Sequence, residues 1–334
     1  MTPKDMLSCH QTRNLQTVFE AYGEKLRQVD IRIKELLRNK VPFIPLIGDY
    51  VISSGGKRLR PLFHLISAHL CGYDSDASIE IASIIESIHM ASLLHDDVVD
   101  VAEMRRGKPS ANSVWGNKAA VLVGDFLYSN AMRTAVMQQN QGIMEALSAA
   151  TTRMAEGEIL QLIRIGDPEI TEPEYLDIIS AKTGGLISAA CRIGAILGGL
   201  PGKKQDALGS FGLKTGMVFQ MADDILDYMA EEEELGKKLC KDLADGKITL
   251  PLLLLLTAAD EKDNAEARKI IKNFSQNDIP SVMSLLKKYR SIDASFVRAK
   301  TLIEGAKAEI DDFPAGPAKE ALFAIADYSI HRER

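Results

Sequence analysis

Almost every segment between turn signals repeats its apolar residues three or four positions apart and is rich in Ala, Leu, Ile, Met and Glu. Alternation of β-branched residues over several positions is hard to find. The pattern predicts an all-α chain whose helices break at Val41-Pro42, Ser53–Gly56, Gly72–Ser75, Arg106–Pro109, Gly166–Pro168, Gly198–Gly202, Gly236 and Phe313–Pro317. None of these breaks has the composition of a flexible domain linker, and no internal period is strong enough for a solenoid. Residues 1–15 are expected to form a flexible N-terminal tail. One short pattern does occur twice, and it bears on function.

Length and composition narrow the class. The 334 residues are 46% apolar and 26% charged, which excludes a disordered tail or a coiled rod. By length alone two domains are conceivable, but an all-α bundle can absorb the whole chain. A formal charge of -6 argues against a general nucleic-acid coat, which needs a basic surface. Cys9, Cys71, Cys191 and Cys240 lie far apart without a CxxC pair, so neither a zinc site nor a disulfide framework is indicated, and a reducing cytoplasm fits. The N-terminus has no apolar leader core. The longest greasy stretches, Leu186–Leu200 and Leu250–Leu256, are too short or too interrupted to cross a bilayer as helices.

The acid excess is where chemistry begins. Asp96-Asp97-Val98-Val99-Asp100 and Asp223-Asp224-Ile225-Leu226-Asp227 are two copies of Asp-Asp-x-x-Asp in apolar helical surroundings. On a helix, positions four apart share a face, so Asp96 with Asp100 and Asp223 with Asp227 each pair two carboxylates pointing one way. One isolated copy reads equally well as a solvated helix face. Two copies, flanked by Leu93, Leu94, Val98, Val99, Ile225 and Leu226, would hold carboxylates near the core, where an unpaired charge is costly. Oxygen-only ligation without His or Cys favours Mg²⁺, and a magnesium ion held by few carboxylates completes its shell with water and phosphate oxygens. The implied ligand is a diphosphate bridging the two clusters.

A diphosphate needs cations, and they occur in motifs of their own. Gly55-Gly56-Lys57-Arg58-Leu59-Arg60-Pro61 places a glycine turn before three of them, although alone it reads as an ordinary helix start. Arg105-Arg106-Gly107 follows the first cluster, with guanidinium forks suited to phosphate. Lys182-Thr183-Gly184-Gly185 lies where two glycines weaken a helix, and Lys237 and Lys247 follow the second cluster. His89 stands seven residues before Asp96 on the same face, as a phosphate donor or a satisfied core group; His95 flanks the site. Glu231–Glu234 is most simply a solvated charge run, with Glu231 able to extend the second carboxylate face.

Taken together, GGKRLRP, SIHMASLLHDDVVD, RRG, KT, FQMADDILD and DLADGKITLP, spread over roughly residues 50–251, resemble the trans-isoprenyl diphosphate synthases, also called the polyprenyl synthetase family. The resemblance implies an all-helical bundle around a deep central cavity, a homodimer, and Mg²⁺ dependence with three ions per site. It also implies condensation of isopentenyl diphosphate with an allylic diphosphate, with no nucleic acid and no membrane span. Carried over by position, it assigns Lys57, Arg60, His89 and Arg106 to the isopentenyl diphosphate, and Asp96, Asp100 and Asp223 to the metal. Arg105, Lys182, Thr183, Gln220, Lys237 and Lys247 go to the allylic substrate and its leaving diphosphate. Asp96, Asp97, Asp100, Arg105, Lys182, Asp223, Asp224 and Lys237 form the expected catalytic group. Cys240 departs from the glycine that many relatives carry there, which implies a slightly shifted loop.

Product length is expected to be set below the first cluster. Ala91 and Ser92 lie five and four residues before Asp96, about 6–8 Å deeper along the helix. Both are small, where short-chain relatives resemble a bulky aromatic floor, although small residues also serve close helix packing. Tyr128, Met132 and Met137 are candidates for a lower floor. The expectation is a long-chain product in the octaprenyl range, with a shorter-chain farnesyl or geranylgeranyl synthase as the alternative. A non-catalytic partner subunit is the alternative of another class, disfavoured because both aspartate clusters are intact. A di-iron carboxylate protein would need a second Glu-x-x-His besides Glu86–His89, and a terpene cyclase has no use for a second basic pocket.

Overall fold

In a computed structural model, the described residues are 3–229 and 239–331. They fold as helices joined by short turns, with one two-stranded hairpin. Helices α1 (Pro3–Leu36), α2 (Phe43–Ser53), α3 (Leu59–Leu70) and α4 (Asp76–Val99) open the chain. The hairpin β1 (Met104–Arg105) and β2 (Lys108–Pro109) pairs Arg105 with Lys108 around Arg106 and Gly107, both at positive φ, the backbone of a tight hairpin turn. Helices α5 (Ala111–Trp115), α6 (Asn117–Met137), α7 (Gln141–Ile163) and α8 (Glu172–Ile179) lead into a π-helical turn, Ser180–Gly184. Then follow α9 (Gly185–Leu197), α10 (Gly202–Leu226), α11 (Lys241–Ala244), α12 (Leu250–Ala258), α13 (Glu261–Lys272), α14 (Ile279–Lys288), α15 (Ser291–Glu309) and α16 (Pro317–His331).

The chain bends at each expected break except Gly236, which lies outside the described residues. Helix α1 runs from Pro3, so the segment expected as a tail is helical backbone from that residue on. Capping explains several of the starts: the Ser75 side chain accepts from the Ala77 N–H at the head of α4, and Thr171 with Glu174 forms a reciprocal cap on α8.

Helix α4 carries the architecture. Ala82, Met90, Ala91 and Leu94 join a main apolar core that draws side chains from Leu15 to Ile330. Ile81, Ile84, Ile85 and Ile88 join a second core with residues of α6, α7 and α9, among them Ala131, Leu147 and Leu186. A helix buried on two sides shows little amphipathic period. By length and composition α4 could cross a membrane, a stretch that continuous greasy runs in the sequence do not mark, but 67% of its apolar window is buried inside the bundle. The charged ends of α4 and α10 are thereby brought to the rim of one cavity.

Candidate active site

The cavity has a volume of about 830 Å³ and is lined from α3, α4, the hairpin, α6, α7, the π-turn and α10. Of the residues singled out in the sequence, Lys57, Arg60, His89, Ala91, Ser92, Asp96, Arg105, Arg106, Tyr128, Lys182, Thr183, Gln220 and Asp223 face it. Residues that lie up to 167 positions apart in the chain, Gly56 and Asp223, therefore share one wall.

At the basic end, Arg60 donates from Nη1 to His89 Nε2 at 3.0 Å. Burial, and then Arg60 and Arg106, hold the His89 ring well below its usual pKa, so it is neutral, accepts at Nε2 and keeps a proton on Nδ1 to donate. Arg106 donates to the Gly55 carbonyl, and a Cβ at Gly56, where φ is +140°, would lie 2.6 Å from Arg106 Nη1. Only glycine lets this guanidinium lie against the turn. Lys57 hydrogen-bonds Tyr328 Oη and sits 4.7 Å from that ring's centre. Tyr328 belongs to α16, a part of the chain whose sequence carries no motif of its own.

The aspartates divide according to helical phase. Asp96 and Asp223 line the cavity, while Asp97 and Asp224, one step and about 100° further round their helices, turn inward and are 3% exposed each. Asp97 accepts from Arg105 Nε at 2.7 Å. Asp224 accepts from Tyr175 Oη at 2.6 Å and Gln220 Nε2 at 2.9 Å, and Gln220 Oε1 in turn accepts from Thr183 Oγ1 at 2.9 Å. Of the expected catalytic group, Asp97 and Asp224 hold Arg105 and Gln220 in place and lie outside the lining of this cavity. The expected Asp223–Asp227 pair is also split. Asp227 caps the end of α10, is buried, and accepts from the Asp242 N–H at 3.0 Å. Asp100, the cap of α4, meets Lys247 at 3.3 Å, outside the cavity lining. Burial works against charge on Lys247, but Asp100 and Asp242 more than offset it and raise its pKa.

Glu158 of α7 belongs to none of the sequence motifs. It grips Lys182 Nζ at 2.8 Å, with Gln161 Oε1 at 2.8 Å beside it. Burial, and then Glu158, push the Asp96 carboxyl up to about 6. Lys237 and Glu231 lie outside the described residues. Cys240 is buried at φ +56°, a left-handed backbone that glycine would adopt more freely. The lower-floor candidates separate: Tyr128 lines the cavity and donates to Thr151 Oγ1 at 3.3 Å. Met132 packs against the second core instead, and Met137 is exposed, because α4 and α6 close together at that depth around Ile88, Ala131 and Ala135.

Among the described residues no three acidic, His or Cys groups converge closely enough to cage an ion. Half-buried Asp96 nevertheless lines the cavity with Glu158 and Asp223, and these donors are oxygens only. This set fits a hard divalent cation that takes most of its shell from water and a ligand's oxygens.

Residues 42–288 match the family model for polyprenyl synthetase. The chain is 37% identical over 322 residues to the octaprenyl diphosphate synthase of Escherichia coli (strain K12), covering 96% of this chain and 100% of that protein. The polyprenyl synthase of Caulobacter crescentus CB15, solved in complex with calcium and isoprenyl diphosphate, superposes with a TM-score of 0.89 at 37% identity over 95% of this chain and 98% of that one. A decaprenyl diphosphate synthase from Rhodobacter capsulatus gives a TM-score of 0.91 at 36% identity, covering 96% and 99%.

Proposed function

Because the chain belongs to the polyprenyl synthetase family, we propose that it joins isopentenyl diphosphate head to tail to allylic diphosphates, making a long all-trans polyprenyl diphosphate in the octaprenyl range. The observation that carries this reading is one cavity with a cationic end at Lys57, Arg60, His89 and Arg106, carboxylates at Asp96 and Asp223, and an apolar wall of Ile88, Ala91, Met154 and Ala155. Likeness to octaprenyl and decaprenyl synthases supports a long product.

The basic end binds the isopentenyl diphosphate. Arg60 and Arg106 offer guanidinium forks and His89 its Nδ1–H. Asp96, Asp100 and Asp223 would hold Mg²⁺, three ions per site, and the ions supply positive charge against the leaving diphosphate. Arg105 and Lys182, with Lys237 and Lys247, bind the allylic diphosphate. Lys182, held by Glu158 and Gln161, is aimed before substrate arrives, which is where preorganised electrostatic stabilisation comes from. When the allylic C–O bond breaks, its electron pair leaves with diphosphate, and the allylic carbon gains a bond from the double bond of isopentenyl diphosphate. Loss of a proton to the departing diphosphate then restores an alkene. Thr183 and the Gln220 carbonyl, whose orientation Asp224 and Tyr175 fix, turn oxygen dipoles toward the cationic carbons. Leu93, Met154 and Phe219 keep water away.

Three further readings go with this one. A single domain over residues 1–334 is supported by the apolar core that runs from Leu15 to Ile330. A homodimer is supported by the apolar side chains that α6 and α7 leave exposed, including Leu122, Ile159, Leu162 and Ile163. A reducing, cytoplasmic setting is supported by the free thiols of Cys71, Cys191 and Cys240.

The test is product sizing. Pure protein given farnesyl diphosphate, isopentenyl diphosphate and Mg²⁺ should yield chains near C40, and a C15 or C20 end product would overturn the long-chain reading. Ala91→Phe should shorten the product by several isoprene units, because Ala91 lines the cavity wall; an unchanged length would place the growing tail elsewhere.

A further inference from the structure

The basic end of the cavity contains a carboxylate that anion binding does not explain. Glu86, 4% exposed, lies on α4 one turn before His89 and lines the cavity beside Arg58, Arg60 and Arg106. A bare carboxylate there would repel a diphosphate and would be costly to bury. Its partner accounts for it. Arg58 donates from Nη1 to Glu86 Oε1 at 3.1 Å, from Nε to Asp30 Oδ1 of α1 at 2.8 Å, and from Nη2 to the Ile52 carbonyl of α2 at 3.3 Å. Although it stands between Lys57 and Arg60 in the motif, its side chain is only 10% exposed and ties three helices together.

The backbone at Arg58 makes that tie consequential. It sits at φ +49° and caps α3, a left-handed conformation that a non-glycine residue keeps only when its surroundings hold it. The glycine turn with Lys57 precedes this cap and Arg60 follows it by two residues. Fixing the Arg58 guanidinium therefore fixes the angle between the turn and α3, and so the separation of Lys57 from Arg60. Glu86 also places a carboxylate beside the guanidiniums of Arg58, Arg60 and Arg106, which offsets the repulsion between Arg60 and Arg106 before any anion arrives.

We infer that Glu86 and Asp30, acting through Arg58, are positioning residues for the isopentenyl diphosphate pocket and not for the allylic one. The inference rests on the functional reading above. A tie of this kind acts on binding of one substrate, so KM for that substrate should move while kcat stays put.

The test is steady-state kinetics on the full chain, with each substrate varied at saturation of the other. Glu86→Gln should raise KM for isopentenyl diphosphate about tenfold and Asp30→Asn about threefold, with KM for farnesyl diphosphate and kcat within about twofold of wild type. Arg58→Lys, which keeps the charge but loses the fork, should resemble Glu86→Gln. A lower KM in Glu86→Gln would mean that the carboxylate only repels, and would overturn the inference. So would equal changes in both KM values, or a fall in thermal stability with neither KM moved. If Glu86→Gln does not fold, Asp30→Asn decides, because Asp30 is 39% exposed and lies outside the cavity lining. Should wild type fail to incorporate isopentenyl diphosphate, the functional reading falls. Inorganic pyrophosphate binding by calorimetry, expected about tenfold weaker in Glu86→Gln, then decides the positioning role independently.

Discussion

One step along a helix separates Asp96, which faces the cavity, from Asp97, which is buried against Arg105. The same step separates Asp223 from Asp224. The motif thus pairs a carboxylate for the ligand with one for the fold, and removing the buried member should loosen Arg105 or Gln220 without touching substrate. Buried titratable groups also set how the fold responds to acid. His64 of α3 is 0% exposed, donates from Nδ1 to the Ala190 carbonyl at 3.1 Å, and has its pKa pushed by burial from 6.5 down to about 4. Between those values the unfolded chain binds a proton that the fold refuses, so stability falls as pH drops from about 6.5 to about 4, by up to about 3 kcal/mol from this group. His64→Asn, able to keep the bond to Ala190, should flatten that slope in urea titrations run at pH 4.5, 5.5 and 7; an unchanged slope would mean that other groups dominate. At this scale the sequence was most legible for residue types and least for direction. Nothing in the string says that Asp227 turns toward Asp242 or that Met132 leaves the cavity wall, because both depend on what packs across the helix.

Among the elements, the π-helical turn Ser180–Gly184 is the least regular and the most consequential, since it projects Lys182 and Thr183 into the cavity. Such turns insert a residue into a helix and concentrate at functional sites. It is held from behind by α10, where a Cβ at Gly216 would lie 2.7 Å from Gly184 Cα and 3.2 Å from the Thr183 carbonyl. Gly216→Ala should therefore shift the turn, cost about 2 kcal/mol of stability and lower kcat by moving Lys182 and Thr183. Gly305 in α15 is the contrasting case, where a Cβ would meet only Lys214 Nζ, at 4.0 Å. Gly305→Ala should stabilise by about 0.5–1 kcal/mol in the same denaturation experiment. If the two substitutions behave alike, close approach at Gly216 is not what holds the turn. Helix period and turn residues made the α-helical elements legible in advance. The π-turn was visible only as a glycine-weakened helix, because the string does not show which neighbour crowds it.

For the whole molecule, one group of exposed apolar side chains lies on two helices. Leu122 on α6 and Ile159, Leu162 and Ile163 on α7 are each at least 59% exposed, more than scattered surface apolarity explains. If a second copy covers them, Leu122→Asp with Ile159→Asp should halve the mass seen by light scattering while helical circular dichroism is kept; an unchanged mass would remove this face from the assembly. By itself the sequence determined the all-α class, several of the helix breaks, the family and the candidate side chains for a diphosphate, because helical period, turn chemistry and spaced motifs are local properties of the string. Tertiary structure alone decided which of those side chains face one another. Tyr328 lies against Lys57, Lys247 meets Asp100, Glu158 grips Lys182, and Glu86 with Asp30 holds Arg58. Each pair joins segments whose separation in the chain sets no distance in space, so these partners follow only from how the helices pack round α4.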